Sequence, residues 1–294
     1  MMKNKIFVSG ATGFQGSNIA QLLNKAGKQV ITLRPKTDEN QISVKDIEII
    51  EGNLENKEAV YKALKNVDSA VFTFPLIFDL EKAIEITENF IQSAQTNNVS
   101  LVVFNSSFDL PKSKTGLLAL DLKSTIYKMF QDSGLNVITL IPDIYIDNLT
   151  APWSIPLILE KGILPYPIES GKKVSWISHL DLARFVISAL DKPELAGKKL
   201  PIGGNIYSGE EIAVAISNYL GKEIQFISLT PDDFEKQLIP AFGELNAKEI
   251  SNLYRYVADN REVLVDKNFN TSQNLLSTKP TSIQDWVSSV NWNM

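Results

Sequence analysis

Short apolar runs alternate along the chain with longer stretches in which apolar residues recur every three or four positions. The runs have the length of buried strands, and the stretches have the period of helices. Strands are predicted at residues 6–8, 30–33, 47–50, 70–74, 101–104 and 137–141, and helices at 19–26, 59–64, 80–95 and 117–133. This repeated alternation predicts an α/β fold whose doubly wound parallel sheet is covered by helices on both faces.

The pattern changes after residue 150, where four prolines interrupt residues 151–171. We expect this segment to leave the sheet and form a lid or a pocket wall. Later strands or extended segments are predicted at 174–178, 199–202 and 224–229, and helices at 181–190, 209–220, 231–262 and from 281 or 282 onward. Ser208 with Glu211 has the spacing of a capping box, and Thr230 precedes a helix-starting proline.

The first predicted strand leads directly into a glycine turn, residues 10–16 with the sequence GATGFQG, and then into a helix. The free N–H groups and the positive dipole end of a helix start suit a pyrophosphate. We expect Gly10 to allow the tight turn and Gly16 to let the helix pack closely on the strand. Gly13 is expected to let the backbone approach a phosphate, in a φ that favours glycine. We interpret the loop as a dinucleotide site; the alternative is a merely structural turn, since the spacing is G-x-x-G-x-x-G.

This loop predicts a Rossmann-type domain at residues 1–150, to which 174–204 returns. Residues 151–173 and 205–294 are predicted to form a smaller α+β domain that binds the substrate.

Composition narrows the chemistry. The 294 residues include no cysteine and one histidine, which excludes disulfides, a cysteine nucleophile and thiolate or histidine-rich metal sites, so we predict no metal. The net charge is −5 and no Lys/Arg run is present, which argues against nucleic-acid binding. No apolar run approaches the ~18 residues of a membrane span. The chain enters its first strand with no room for a signal peptide, so we expect a cytoplasmic protein.

The second predicted strand ends in Arg34, with Lys36 two residues on and Asp38 and Glu39 in a predicted loop. Dinucleotide folds commonly carry at this place an acid that binds the ribose 2′-hydroxyl. A guanidinium instead binds a 2′-phosphate bidentately, which favours NADP over NAD. The alternative is that both cations are solvated loop charges.

Several segments resemble the NmrA-like family, atypical members of the short-chain dehydrogenase/reductase superfamily. The glycine loop is the most specific of them, and the others are residues 33–35, 52–54, 106–107, 123, 133–135, 142–149 and 181–183. The resemblance implies an extended Rossmann-type fold, an NAD(P) cofactor, and substrates that range from quinones to phenylpropanoids. Some relatives bind NADP and regulate partners without obvious turnover, so the resemblance leaves enzyme status open.

Loop, charges and resemblance together predict the contacts of both ligands. Cofactor contacts are predicted at Gly10, Thr12, Gly13, Phe14, Gln15, Gly16, Arg34, Lys36, Asn53, Thr73, Phe74, Pro75, Ser106, Lys123, Pro142 and Ile144. Asn53 stands where relatives often carry an aspartate near the adenine. Substrate contacts are predicted at Ser107, Phe108, Tyr145, Asn148 and Trp153; aromatic side chains at such places can equally belong to the core.

Most of the wider superfamily uses Tyr-x-x-x-Lys on one helix face. Here Lys123 fits the lysine, but Ala119 replaces the tyrosine, and Tyr127 is followed by Gln131 in its lysine position. An ordinary ketone then lacks its proton donor, whereas a quinone or conjugated enone gives a delocalised anion that Lys123, or a hydroxyl of Ser106, Ser107 or Tyr145, can stabilise. We predict a catalytic role for Lys123; the alternative is an exposed helix lysine.

His179 and Asp181 are interpreted as structural residues at a helix start. The sequence thus predicts an NADPH-dependent oxidoreductase that reduces a small quinone-like or conjugated acceptor. One alternative is a non-catalytic NADP(H)-binding redox sensor that acts through protein partners. Another is a nucleotide-sugar epimerase or dehydratase, which the missing tyrosine disfavours. The sequence leaves the substrate and the oligomeric state open.

Overall fold

A seven-stranded parallel sheet lies at the centre of the computed structural model, which describes residues 5–36 and 45–292. Its strands are β1 (Lys5–Val8), β2 (Gln29–Arg34), β3 (Ile47–Glu51), β4 (Ser69–Thr73), β5 (Leu101–Asn105), β6 (Val137–Pro142) and β10 (Lys199–Ile202). Within the described residues the order is β10-β6-β5-β4-β1-β2-β3, so the winding reverses between β1 and β4. A crevice at such a reversal, at the carboxyl ends of the strands, is where open α/β sheets bind ligands.

Helices cover both faces of this sheet, as predicted. The helices of the described chain are α1 (Phe14–Lys25), α2 (Lys57–Ala63), α3 (Leu80–Thr96), α4 (Leu118–Asp132), α5 (Ile155–Lys161), α6 (His179–Leu190), α7 (Gly209–Leu220), α8 (Pro231–Val265), α9 (Phe269–Leu275) and α10 (Ile283–Ser289). Helices α1 and α6 share one apolar core with the sheet, and α2, α3 and α4 share another. The predicted doubly wound α/β fold is confirmed. Asp38 and Glu39 lie outside the described residues.

Helix starts follow the predicted capping residues. Ser208 and Glu211 form a capping box, Thr230 Oγ1 accepts the Asp233 N–H, and Ser282 caps α10. Each cap satisfies a backbone donor that the first helical turn leaves unpaired.

Two smaller sheets lie beside the central one in the described chain. One has the order β11 (Asn205–Tyr207), β9 (Val174–Ile177) and β7 (Ile144–Tyr145), and the other pairs β12 (Gln225–Ser228) with β8 (Ile163–Tyr166). Strand β10 joins the central sheet beside β6, while β9 pairs outside it. The division into two domains stays a prediction.

Helix α8 is long but interrupted. Gly243 has φ 75° and ψ 166°, outside the helical region, and Asn260 departs from it as well. The halves on either side of Gly243 contribute to the same apolar cluster, through residues such as Phe234 and Tyr254. None of the helices in the described ranges is long and apolar enough to cross a membrane.

Candidate active site

A cavity of about 650 Å³ opens at the carboxyl ends of the central strands. Most of the predicted site residues line it. They are Gly10, Gly13, Phe14, Gln15, Gly16, Thr73, Phe74, Pro75, Lys123 and Ile144 from the predicted cofactor contacts, and Ser107, Phe108, Tyr145, Asn148 and Trp153 from the predicted substrate contacts. The fold therefore brings the glycine loop and the predicted substrate residues to one cavity.

Three glycines shape the loop in different ways. Gly10 has φ 64°, as expected for the tight turn. A Cβ on Gly16 would lie 2.2 Å from the Gly10 carbonyl oxygen, so Gly16 lets α1 pack closely on the turn after β1 rather than on the strand itself. Gly13 differs, because its φ of −93° and ψ of 176° are extended values open to any residue. The expectation of a glycine-specific φ there was wrong. No side chain caps α1, so the N–H groups of its first turn are available to a ligand.

The side-chain oxygen of Gln15 is the centre of a polar cluster. It accepts the Asn105 amide at 2.8 Å and lies 3.1 Å from the Tyr145 hydroxyl and 3.3 Å from that of Ser107. Asn105, at the end of β5, is fully buried, and its oxygen accepts the Ser107 N–H at 3.0 Å. That bond holds Ser107 in a left-handed backbone conformation, φ 59°. Sequence reasoning missed Asn105; its only signal was a polar residue ending an otherwise apolar strand.

Lys123 extends from α4 into the cavity. Its ammonium donates to the Ser106 carbonyl at 3.0 Å, and burial lowers the pKa of Lys123 from 10.5 to about 8. Ala119, one turn earlier, also lines the cavity, so the position of the usual tyrosine holds only a methyl group. Tyr127, one turn later, packs against the apolar core beneath α4 and does not line the cavity; the Lys199 ammonium lies 5.0 Å from its ring centre.

Arg34 and Lys36, the two basic residues predicted to bind the cofactor, do not line the cavity. Arg34 ends β2, next to β1, and is exposed; its guanidinium has no hydrogen-bond or ion-pair partner among residues 5–36 and 45–292. Lys36 pairs with Glu51 at 3.1 Å. Arg34 is therefore the freer of the two to meet a phosphate.

The remaining predicted cofactor residues, Thr12, Asn53, Ser106 and Pro142, are not in the cavity wall. The Asn53 oxygen accepts two backbone N–H groups, each at 3.1 Å, in the turn before α2. The Ser106 hydroxyl is buried against the carbonyls of Phe108 and Leu140, which leaves its own carbonyl to accept from Lys123. The Ser106 hydroxyl is therefore not offered to a ligand.

Aromatic side chains cover the side of the cavity away from the sheet. Trp153 makes edge-on contacts with Phe14 of the loop, ring centres 6.1 Å apart, and with Phe242 of α8, 4.9 Å apart. Sequence reasoning missed the contribution of α8, whose lining residues are Phe234, Leu238, Phe242, Ile250, Leu253 and Tyr254. Their helical spacing was visible, but nothing local indicates which surface they cover.

Neutral polar groups complete this wall. The hydroxyls of Tyr254 and Tyr166 are hydrogen-bonded, and Asn148 donates to Tyr166 at 3.3 Å. Burial raises the pKa of Tyr254 to about 12. Burial also lowers the pKa of His179, whose ring lies 4.7 Å from that of Tyr145. Both groups are therefore uncharged at neutral pH.

A buried ionic cluster reaches the cavity wall at Asp143. The Lys267 ammonium pairs with Asp143, which follows β6, and is 3.1 Å from Asp109; the Tyr256 hydroxyl donates to Asp109 at 3.0 Å. Burial raises the pKa of Asp143 to about 6, although Lys267 opposes the shift. Asp181 is also buried and accepts from Arg184 and Thr281, which agrees with a structural role. No group of three or more potential metal ligands occurs in the described residues.

The sequence has recognisable relatives among known proteins. The sequence model of the NmrA-like family matches residues 2–287. The chain belongs to the NmrA-like family. It is 26% identical over 253 residues to the NAD(P)H azoreductase of Xenophilus azovorans, which covers 85% of this chain and 86% of that protein.

Solved structures show the same fold. One is a nucleoside-diphosphate-sugar epimerase from Staphylococcus aureus, with a TM-score of 0.78, 21% identity and coverage of 97% of this chain and 100% of that one. Another is an NADPH-dependent quinone oxidoreductase from Escherichia coli, with a TM-score of 0.73, 19% identity and coverage of 96% and 98%.

The loop of this NmrA-like chain fits a dinucleotide. The first turn of α1 offers uncapped N–H groups beside Gly13, where an added Cβ would meet only the Gly10 carbonyl oxygen, at 3.4 Å. A pyrophosphate is the kind of anion that such a helix start binds.

Proposed function

We propose that this protein is an NADPH-dependent reductase that transfers hydride to a quinone-like or otherwise conjugated acceptor. One observation carries the proposal: a single cavity joins the uncapped start of α1 to an aromatic wall, with Lys123 between them and Ala119 where a phenol would stand. Among the described lining residues, Lys123 is the only lysine or arginine.

Different groups of the protein would bind different parts of the cofactor. The amides of the first α1 turn would hold the pyrophosphate. The Arg34 guanidinium, which has no side-chain partner among the described residues, would hold a 2′-phosphate and so select NADPH over NADH. When bound, NADPH supplies the hydride. The name of the Escherichia coli neighbour, an NADPH-dependent quinone oxidoreductase, is consistent with this choice.

Lys123 is the cation that balances the negative charge transferred with the hydride. Its ammonium stabilises the negative charge that develops on the acceptor, in a cavity whose apolar walls strengthen that interaction. A proton from this ammonium or from water completes the reduction, and the lysine regains its proton from solvent. With a pKa of about 8, it is mostly protonated at neutral pH and still a competent acid.

The fold shared with a nucleotide-sugar epimerase does not favour that activity here. Removal of a proton from a sugar hydroxyl needs a base at the position that Ala119 occupies. A methyl group cannot act as one, so reduction of an electron-poor acceptor is the better use of this site.

The test is NADPH consumption, followed by nicotinamide absorbance, over a matched panel of quinones and ketones. We expect quinones to react faster by about 10²–10⁴-fold, the usual value of the missing acid catalysis. Ketone turnover near the ordinary enzymatic rate, on the order of 10 s⁻¹, would contradict the proposal. Tight NADPH binding with no turnover of any acceptor would favour the redox sensor instead.

A further inference from the structure

We propose that the side-chain amide of Gln15 donates a hydrogen bond to a carbonyl oxygen at the reacting end of the cavity. This inference rests on the proposed function and adds a neutral donor to Lys123. The oxygen has two possible sources with the same chemistry: the acceptor, or the carboxamide of the nicotinamide ring.

The orientation of the Gln15 amide is fixed by its neighbours. Asn105 accepts the Ser107 backbone N–H through its oxygen, at 3.0 Å, so its NH₂ group must point the other way. That NH₂ lies 2.8 Å from the Gln15 side chain. Because an amide NH₂ only donates, the Gln15 atom facing it must be the oxygen. The opposite assignment would place two donors against each other.

The Gln15 nitrogen is consequently left with both N–H groups free. No hydrogen bond from this nitrogen is formed within the described residues, and Gln15 lines the cavity. Its oxygen contacts Ser107 and Tyr145, so the amide lies between the loop and the predicted substrate residues. A free donor at this place faces whatever oxygen the bound ligands bring to the junction.

This donor suits a reaction in which an oxygen gains negative charge. A pre-oriented amide N–H binds an anionic oxygen more strongly than a neutral one, and it needs no reorganisation when the charge appears. If the Gln15 amide were rotated so that its oxygen and nitrogen exchanged places, its oxygen would face the ligand oxygen and repel it. The contact with Asn105 therefore has a positioning role, because it keeps the nitrogen towards the cavity.

The first experiment measures binding rather than turnover, with Gln15→Met as a variant of similar length that cannot donate. NADPH, adenosine 2′,5′-bisphosphate (which lacks the nicotinamide) and a hydroquinone offered together with NADP⁺ are each titrated against both proteins. We expect a loss of about three- to tenfold, the usual value of one neutral hydrogen bond. A loss for NADPH alone assigns the carboxamide oxygen, and a loss for the hydroquinone alone assigns the acceptor oxygen.

Other results overturn the inference. Unchanged affinity for all three ligands shows that the free N–H groups bind nothing, and equal losses for NADPH and the bisphosphate show that Gln15 acts through the loop. If the wild-type protein binds neither NADPH nor the bisphosphate, the proposed function fails first, and this inference with it.

The second experiment reverses the amide. Asn105→Asp replaces the donor with an acceptor, so Gln15 should turn its nitrogen away from the cavity. We expect the same selective loss as in Gln15→Met, and no further loss of that kind when the two changes are combined. Equal effects of Asn105→Asp in both backgrounds would contradict the orienting role, and thermal unfolding of each variant identifies any general loss of folding.

Discussion

The two ends of the cavity are built from different materials. At the loop end the contacts are backbone N–H groups, arranged by residues that are adjacent in the chain and shaped by Gly10 and Gly16. At the acceptor end the wall consists of side chains such as Trp153, Phe242 and Tyr254, which come from distant segments. A binding site made of backbone groups can be recognised in the sequence as a short motif. A wall made of side chains from distant segments can be recognised only in the folded structure.

This contrast predicts how the two ends respond to substitution. The loop end should fail abruptly, because one Cβ can block either the turn or the ligand. The acceptor end should weaken gradually, because several rings share the contact with the substrate. Substitutions at the two ends should therefore differ in the size of their effects.

The sharpest test compares Gly16→Ala with Gly13→Val. The Gly16 change places a Cβ 2.2 Å from a backbone oxygen, so both the unfolding temperature and NADPH affinity should fall. The Gly13 change meets only a contact of 3.4 Å and an unstrained φ, so the protein should stay folded. It should still lose NADPH affinity by more than about a hundredfold, since its side chain occupies the place of the pyrophosphate.

Thermal melting and NADPH titration distinguish the two variants. Near-normal NADPH affinity in Gly13→Val would mean that the loop is only a structural turn, and that the ligand end of the cavity lies elsewhere.

Lys123→Met should slow hydride transfer to a quinone by about 10²–10³-fold. The wild-type rate should fall above about pH 8, where Lys123 loses its proton, and the variant should lack that step. Because the folded pKa lies below 10.5, the buried ammonium costs stability below pH 8 and the cost disappears between pH 8 and 10.5. The variant should therefore be at least as stable as the wild type at pH 7.

Lys128→Met, on the exposed face of the same helix, is the matched control and should change neither quantity. A quinone rate in Lys123→Met that equals the wild-type rate would remove the lysine from the reaction.

Arg34→Ala should weaken NADPH binding by about ten- to a hundredfold and leave NADH binding unchanged, since only NADPH carries the 2′-phosphate. Lys36→Ala should do less, because Lys36 already pairs with Glu51. Competition titrations with both cofactors measure the difference. Equal losses for NADPH and NADH would assign Arg34 to the adenine or to the fold.

Trp153→Ala should raise the KM for an aromatic acceptor by only about three- to tenfold, the value of one aromatic contact, without changing NADPH affinity. Tyr219→Ala removes an exposed aromatic ring outside the cavity and is the control. Steady-state kinetics with a quinone checks both. A loss as abrupt as that of Gly13→Val would erase the contrast between the two ends.

The same contrast explains what the sequence could reveal. Period and apolar runs predicted the strands of the central sheet and most of the helices, because neighbouring residues determine each of these elements. They did not predict β7, β8, β11, α5 or α9. Ala119 and Lys123 were recognisable for the same reason, since positions four apart share one helix face. Ser106 was placed correctly after β5, but its hydroxyl turns inward to the carbonyls of Phe108 and Leu140, and Leu140 belongs to the neighbouring strand β6.

Contacts between residues far apart in the chain could not be predicted from the sequence. Asn105 meets Gln15 across 90 positions, and the Ala119 N–H donates to Glu249 across 130. The break at Gly243, which lets two halves of α8 face one cluster, follows from packing and not from any local periodicity. Asn53 could not be assigned from the sequence for another reason. The residue type does not distinguish an asparagine that caps a turn, as Asn53 does, from one that binds adenine.

The ionic cluster of Asp109, Asp143 and Lys267 has a consequence for the folding of the chain during its synthesis. Asp143 follows β6, an interior strand of the central sheet, but its lysine partner lies 124 residues further along the chain. On a ribosome, the central sheet emerges long before Lys267, with Asp143 and Asp109 still lacking their counter-charge. We expect nascent chains arrested before residue 267 to be cleaved rapidly by protease, and chains arrested far enough beyond the C-terminus to resist it. The central sheet should therefore reach its full stability only after Lys267 has been translated, long after its own strands.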